Sequence, residues 1–256
     1  MRWQAVWIMW WMGSAVAGPT DAFAPALTLP EHELAAAVTV EANLAPIEVG
    51  HPLSLAPDLW FAPTANLTLG VIHSEASIDR VPVFFEPGES ICVRLESVLC
   101  PRRYHGSGFD TLYELRRGEL EVAAHARLLI RDLGPIKPAV TLGATLRWRE
   151  SWLSIVADPY LQLGLWNTED GNRTELWLPV TFAFAPASWC SFELHTGYDT
   201  DIAVWRDGYY VPLFARVHAR ITSHLDGGLG AGFASLLGTQ NVTRERVLAI
   251  DLGWRT

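Results

Sequence analysis

Between residues 120 and 131 the side chains alternate with a period of two. Leu120, Val122, Ala124, Ala126, Leu128 and Ile130 fall on one face, and Glu121, His125, Arg127 and Arg131 fall on the other. A helix would gather its apolar positions every three or four residues, so this pattern predicts a strand with two unlike faces. The next segment repeats it, with Val140, Leu142, Ala144, Leu146 and Trp148 opposite Thr141, Gly143, Thr145, Arg147 and Arg149. From about residue 35 to the end the same alternation returns in segment after segment. Glu193 and His195 oppose Phe192 and Leu194; Arg216, His218 and Arg220 oppose Ala215, Val217 and Ala219. Counting the segments predicts about twelve strands, within bounds of about 10 to 14, many of them near the ~9–11 residues that a tilted membrane strand requires.

The connections add a signal independent of hydropathy. Brief turns at Arg117-Gly118, Glu150-Ser151 and Ser223-His224 alternate with longer polar stretches at 75–108, 167–173, 200–208 and 238–244. An up-and-down meander through a bilayer has this asymmetry, with the brief turns on the periplasmic side. Trp60, Trp148, Trp152, Trp189 and Trp254 all lie within a few residues of the brief-turn end. That level suits an aromatic girdle, because the indole ring is apolar on its face and polar at its N–H. Pro159, Pro179 and Pro212 fall inside expected strands. Each lacks a ladder donor and therefore requires a bulge, a strand end or a shifted boundary.

Composition narrows the classes further. The chain of 256 residues has 28 acidic against 19 basic side chains, a net charge of -9 and 50% hydrophobic residues. It contains no apolar run long enough for a helix across a bilayer, and it is too apolar for a disordered chain. The acidic balance argues against nucleic acid as a partner, since phosphates would be repelled. Residues 1–17 begin with Arg2, continue through the apolar Trp3 to Met12 and end in small residues, which is the layout of a secretory signal peptide. Cleavage is expected after Ala17, with Ala24 as the alternative, leaving a short segment up to residue 33 before a barrel over 34–256. In an exported chain Cys92 and Cys100 are expected to form a disulfide within the loop 75–108, leaving Cys190 unpaired. His and Cys clusters at metal-ligand spacing are missing, so neither a metal nor a cofactor is expected.

Over about residues 34–254 the chain resembles Gram-negative outer-membrane β-barrel proteins of the small, porin-like kind. The resemblance lies in architecture rather than in a motif: two-faced strands, alternating loop lengths and the tryptophan level. It implies an all-β, antiparallel, up-and-down transmembrane barrel in an outer membrane, with membrane lipid around it. Such families typically end on a strand with a terminal aromatic, whereas here Trp254 is followed by Arg255-Thr256.

On this reading the polar face lines the lumen, bringing together Glu121, His125, Arg127, Arg147, Arg149, Glu193, His195, Arg216, His218 and Arg220. The arginines could form a ladder that favours small anionic or polar solutes. Glu41, Asp110, Glu114, Glu175 and Asp251 share that face, so the charges could instead cross-link one another. Three further readings compete with a passive, weakly selective pore. A plugged barrel would act as an adhesin or scaffold through its loops; a lipid-modifying hydrolase would use His73-Ser74, or His195 and His218 with Asp199; a soluble periplasmic sandwich or lipocalin-like barrel would turn the apolar face inward. No oligomeric state is implied.

Overall fold

The computed structural model describes residues 27–44, 53–73, 91–92, 107–133, 135–206, 208–238 and 246–256. The expected signal peptide, Cys100 and most of the loop 75–108 lie outside them, and with them the expected disulfide. Twelve antiparallel strands form a closed barrel. They are β1 (Leu34–Asn43), β2 (Leu53–Thr64), β3 (Leu67–Ile72), β4 (Ser107–Arg116), β5 (Leu120–Leu133) and β6 (Ile136–Arg149). After them come β7 (Leu153–Ala157 and Tyr160–Gly164), β8 (Glu175–Trp177 and Val180–Ala187) and β9 (Cys190–Thr196 and Asp199–Asp201), each in two pieces. The chain ends with β10 (Tyr209–Arg220), β11 (Leu225–Gly238) and β12 (Arg246–Arg255). Each strand pairs with its sequence neighbours, and β12 returns to β1 from Ala35 opposite Arg255 to Asn43 opposite Val247. Closure leaves no edge, so the wall can cross hydrocarbon without unsatisfied backbone groups.

The prolines account for the interruptions. Asp158-Pro159 divides β7, Leu178-Pro179 divides β8, and Pro212 coincides with a register shift between β10 and β11. The breaks lie side by side, because the N–H of Asp158 donates to the carbonyl of Pro179 (3.1 Å) and that of Leu178 to the carbonyl of Tyr198 (2.8 Å). Register across each break is kept: Arg147 faces Val156 below the first, and Gly143 faces Tyr160 above it. Inward positions on one half-strand therefore remain inward on the other.

Side-chain direction separates a membrane barrel from a soluble one. Leu59, Phe61, Phe109, Leu128, Leu142, Phe192, Val217 and Ile250 are exposed on the outer surface, Phe109 by 64%. Asp58, Asp110, Glu121, Arg127 and Arg147 are buried inside. A soluble sandwich or lipocalin-like barrel requires the reverse, so that reading fails. Trp148, Trp152, Trp189 and Trp254 are exposed at the short-turn end. Trp60 departs from expectation. It shares its parity with the buried Ala56 and Asp58, and its indole points into the barrel, donating to Asp110. Glycine makes room for such rings: a Cβ at Gly70 would strike Trp60, and one at Gly143 would strike Tyr160.

Candidate functional site

Among the described residues the barrel interior gathers charge, and neighbouring strands place those charges in register. Glu121 on β5 stands opposite Arg147 on β6, Asp110 on β4 opposite Arg127 on β5, and Glu193 on β9 opposite Arg216 on β10. Directly opposed residues share a face, so each pairing brings an acid against a base inside.

On the β4–β7 side the core of the arrangement is His125. Its Nε2 lies 2.6 Å from Asp110 Oδ1 and its Nδ1 2.8 Å from Asp158 Oδ1. With a carboxylate on each ring nitrogen, both nitrogens serve as donors, the role of an imidazolium. Arg127 bridges the same two acids, at 3.3 Å from Asp110 and 3.1 Å from Asp158. Thr145 donates to Asp158 (2.5 Å) and Trp60 to Asp110 (3.2 Å). The guanidinium of Arg127 also covers the ring of Tyr160 at 5.0 Å, and Tyr160 stacks on Trp177. Trp177 and Gln162 both donate to Glu175, which faces Arg131 at 3.6 Å. Asp158 is 0% and Arg127 2% exposed, so this side of the interior is packed rather than wetted. Charges so enclosed persist only when paired and hydrogen-bonded, and here each has several partners.

A second network covers β9–β12. Arg216 bonds Glu193 at 2.5 Å and Asp251 at 3.3 Å. His195 reaches Glu193 (3.1 Å) and Thr181 (2.9 Å), and His218 reaches Asp226 (3.0 Å). Arg255 stands 3.8 Å from Asp226. These side chains keep partial exposure, 20% for Arg216 and 18% for Asp226. Their inward neighbours on β11 and β12 include Gly228, Gly230 and Gly253, which add no bulk.

A third network lies at the short-turn mouth. Glu121 takes Arg147 at 2.5 Å and Arg149 at 3.2 Å, while Glu114 takes Arg117 at 2.5 Å. The chain that precedes β1 enters here. The N–H of Leu27 donates to Glu121 (3.2 Å), the hydroxyl of Thr28 to Glu114 (2.8 Å), and the N–H of Leu29 to the hydroxyl of Thr68 (2.9 Å).

The structure thus turns Glu121, His125, Arg127, Arg147, Arg149, Glu193, His195, Arg216, His218 and Arg220 inward, though not as one wetted lining. Glu121, His125, Arg127 and Arg147 are sealed within the wall networks, and the other six are the ones in partial contact with solvent or at the edge of it. Of the arginines expected on this face, Arg127, Arg147, Arg149 and Arg216 each lie against a carboxylate, the arrangement that the cross-linked alternative expects. Asp158 and Asp226 were not singled out by the pattern. Asp158 is hidden by the Pro159 break, yet its parity with Ser154 marks it as inward. The hydrolase candidates separate as well. His73 donates its Nδ1–H to the carbonyl of Pro57, Ser74 lies outside the described residues, and His195 and His218 are engaged with Glu193 and Asp226. Among the described residues no group of His, Cys, Asp or Glu is arranged to hold a metal ion.

No family model and no curated protein matches the chain. Solved structures do match its fold. The NanC porin aligns with a TM-score of 0.61 at 7% identity, covering 85% of this chain and 98% of that one. The KdgM porin in complex with disordered oligogalacturonate aligns at 0.57 and 9% identity, covering 86% and 98%. An outer membrane channel from Pseudomonas putida F1 aligns at 0.54 and 12% identity, covering 90% and 97%. The fold they share, together with the apolar exterior and polar interior, makes this chain an outer-membrane β-barrel of porin-like architecture.

Proposed function

We propose that the barrel is a narrow, weakly selective pore for small polar solutes, with its water path along β9–β12 and β1. The observation that carries this reading is the unequal wetting of the interior. Asp110, Glu121, His125, Arg127, Arg147 and Asp158 keep 3% or less of their side-chain surface accessible, whereas Glu193, Arg216, His218, Asp226, Asp251 and Arg255 keep between 10% and 20%. The strip holds acids and bases in close to equal number, so its net field is small and discrimination by sign is weak. Small, partly exposed inward residues at Ala35, Ala37, Gly228 and Gly253 continue it toward β1. Anionic solutes are admitted among others: the arginines along the strip can contact them, and the neighbouring carboxylates prevent strong retention.

The test is single-channel recording in a planar bilayer. The pore reading expects small discrete steps with a reversal potential near zero in a salt gradient. Arg216→Glu should move that potential toward cation selectivity, because it converts one positive into one negative charge on the wetted strip. A second reading, a plugged barrel that works as a scaffold through its outer loops, is favoured by the closure of the β4–β7 side. It predicts silence at every voltage, with Arg216→Glu changing nothing.

A further inference from the structure

The segment that precedes β1 has no part in closing the wall, yet it is tied into the barrel. Thr28 is only 1% exposed, a value unusual for a polar residue before the first strand. Leu27, Thr28 and Leu29 reach the inner faces of β5 (Glu121), β4 (Glu114) and β3 (Thr68) in turn. Thr28 also donates to the carbonyl of Ala65, in the turn between β2 and β3. His32 and Glu33 then exchange main-chain hydrogen bonds with Ala62 on β2 (2.7 and 3.1 Å) before β1 begins. The chain therefore follows the inside of the mouth across neighbouring strands, at the end where the turns are short.

The seat is prearranged. Glu114 is fixed by Arg117, and Glu121 by Arg147 and Arg149, so both acceptors are held in place whether or not the segment is bound. The segment itself is attached by a few polar contacts, and Leu27 and Leu29 are only half-buried. Contacts of that kind each favour the bound state by a factor of about 5. A docked segment held by so few contacts can leave and return without disturbing the barrel, whose strands close independently of it.

We propose that residues 27–32 form a strap that narrows the periplasmic mouth and gates the pore by undocking from the Glu114–Glu121 seat. The inference rests on the pore reading and adds a movable part to it. When the strap leaves, the inner faces of β3 to β5 at the mouth lose their covering and the opening widens. When it docks, the hydroxyl of Thr28 and the N–H groups of Leu27 and Leu29 satisfy acceptors that water would otherwise occupy.

Two measurements on the full-length, membrane-folded chain test it. Thr28→Val with Thr68→Val removes the one hydroxyl proton that Thr28 shares between Glu114 and Ala65 and the acceptor that Thr68 offers to Leu29, without altering charge or volume appreciably, and should raise the undocked fraction about 25-fold. Single-channel records of the double variant should show longer or larger open steps than the parent. Separately, in a chain whose native cysteines are serine, Thr28→Cys is labelled by a charged maleimide reagent in detergent micelles. Adding Thr68→Val should speed that labelling by about 5-fold. Equal labelling rates with unchanged steps, in a protein that conducts, overturn the strap. Faster labelling with unchanged steps shows a mobile segment and overturns its role as a gate. Absence of any step in parent and variant alike removes the pore reading, and the gate with it.

Discussion

Asp158 is the position at which the packed half of the interior can be broken most selectively. Its carboxylate is 0% exposed and accepts from His125 Nδ1 (2.8 Å), Arg127 (3.1 Å) and Thr145 (2.5 Å). Asp158→Ala leaves Arg127 and His125, both cationic donors, with Asp110 still beside them. Removing one member of a buried charge network leaves the others uncompensated, at a cost of about 3–5 kcal/mol. Near the middle of that range, the unfolding equilibrium constant rises by about 10³. Urea unfolding of the vesicle-embedded barrel, followed by tryptophan fluorescence, reads this directly, and the band shift between heated and unheated gel samples gives an independent signal. Asp158→Ala combined with Arg127→Met should cost less than the sum of the two single changes, by about 0.5–3 kcal/mol, because both belong to one network. A loss below about 1 kcal/mol for Asp158→Ala, or strict additivity in the pair, would refute the claim that these charges support one another.

Other outcomes follow from the geometry. Leu142→Arg puts a charge on the outer surface, where Leu142 is 54% exposed, and should destabilise the barrel by about 2–4 kcal/mol at mid-membrane depth in vesicle refolding. Trp60→Phe keeps the ring but removes the donor to Asp110, costing about 1–3 kcal/mol in the same assay; a girdle residue would show no such dependence on its N–H. Arg173→Ala breaks an ion pair with Asp201 whose arginine is 56% exposed, and should leave stability within about 1 kcal/mol of the parent.

The wall was legible in the sequence because a strand's period of two is strict. Val38 and Thr39, Leu128 and Arg127, and Val217 and Arg216 sit on the faces that their parity assigns. Parity also contained the direction of Trp60, but residue type argued for the girdle and outweighed it. What parity cannot supply is which inward charge meets which. That depends on inter-strand register: Glu193 meets Arg216 because β9 and β10 align there, and the two residues are 23 apart in the chain. The bulge between Glu114 and Arg116 has a similar effect, since it pairs Arg116 with the outward-facing Val122 and turns it from the polar face. The proline breaks were foreseen as interruptions. Their alignment across β7 and β8, and the acid they conceal at Asp158, became visible only once the strands lay beside one another.

A membrane barrel of this kind requires apolar side chains to meet lipid while charged ones meet the axis. The most direct measurement places spin labels singly along residues 120–131 and records collision with dissolved oxygen and with a water-soluble nickel complex in vesicles. Labels at 120, 122, 124, 126, 128 and 130 should show high oxygen and low nickel collision rates, with those at 121, 123, 125, 127, 129 and 131 shielded from lipid-borne oxygen. Nickel access at the even positions, with oxygen showing no period of two, would contradict it.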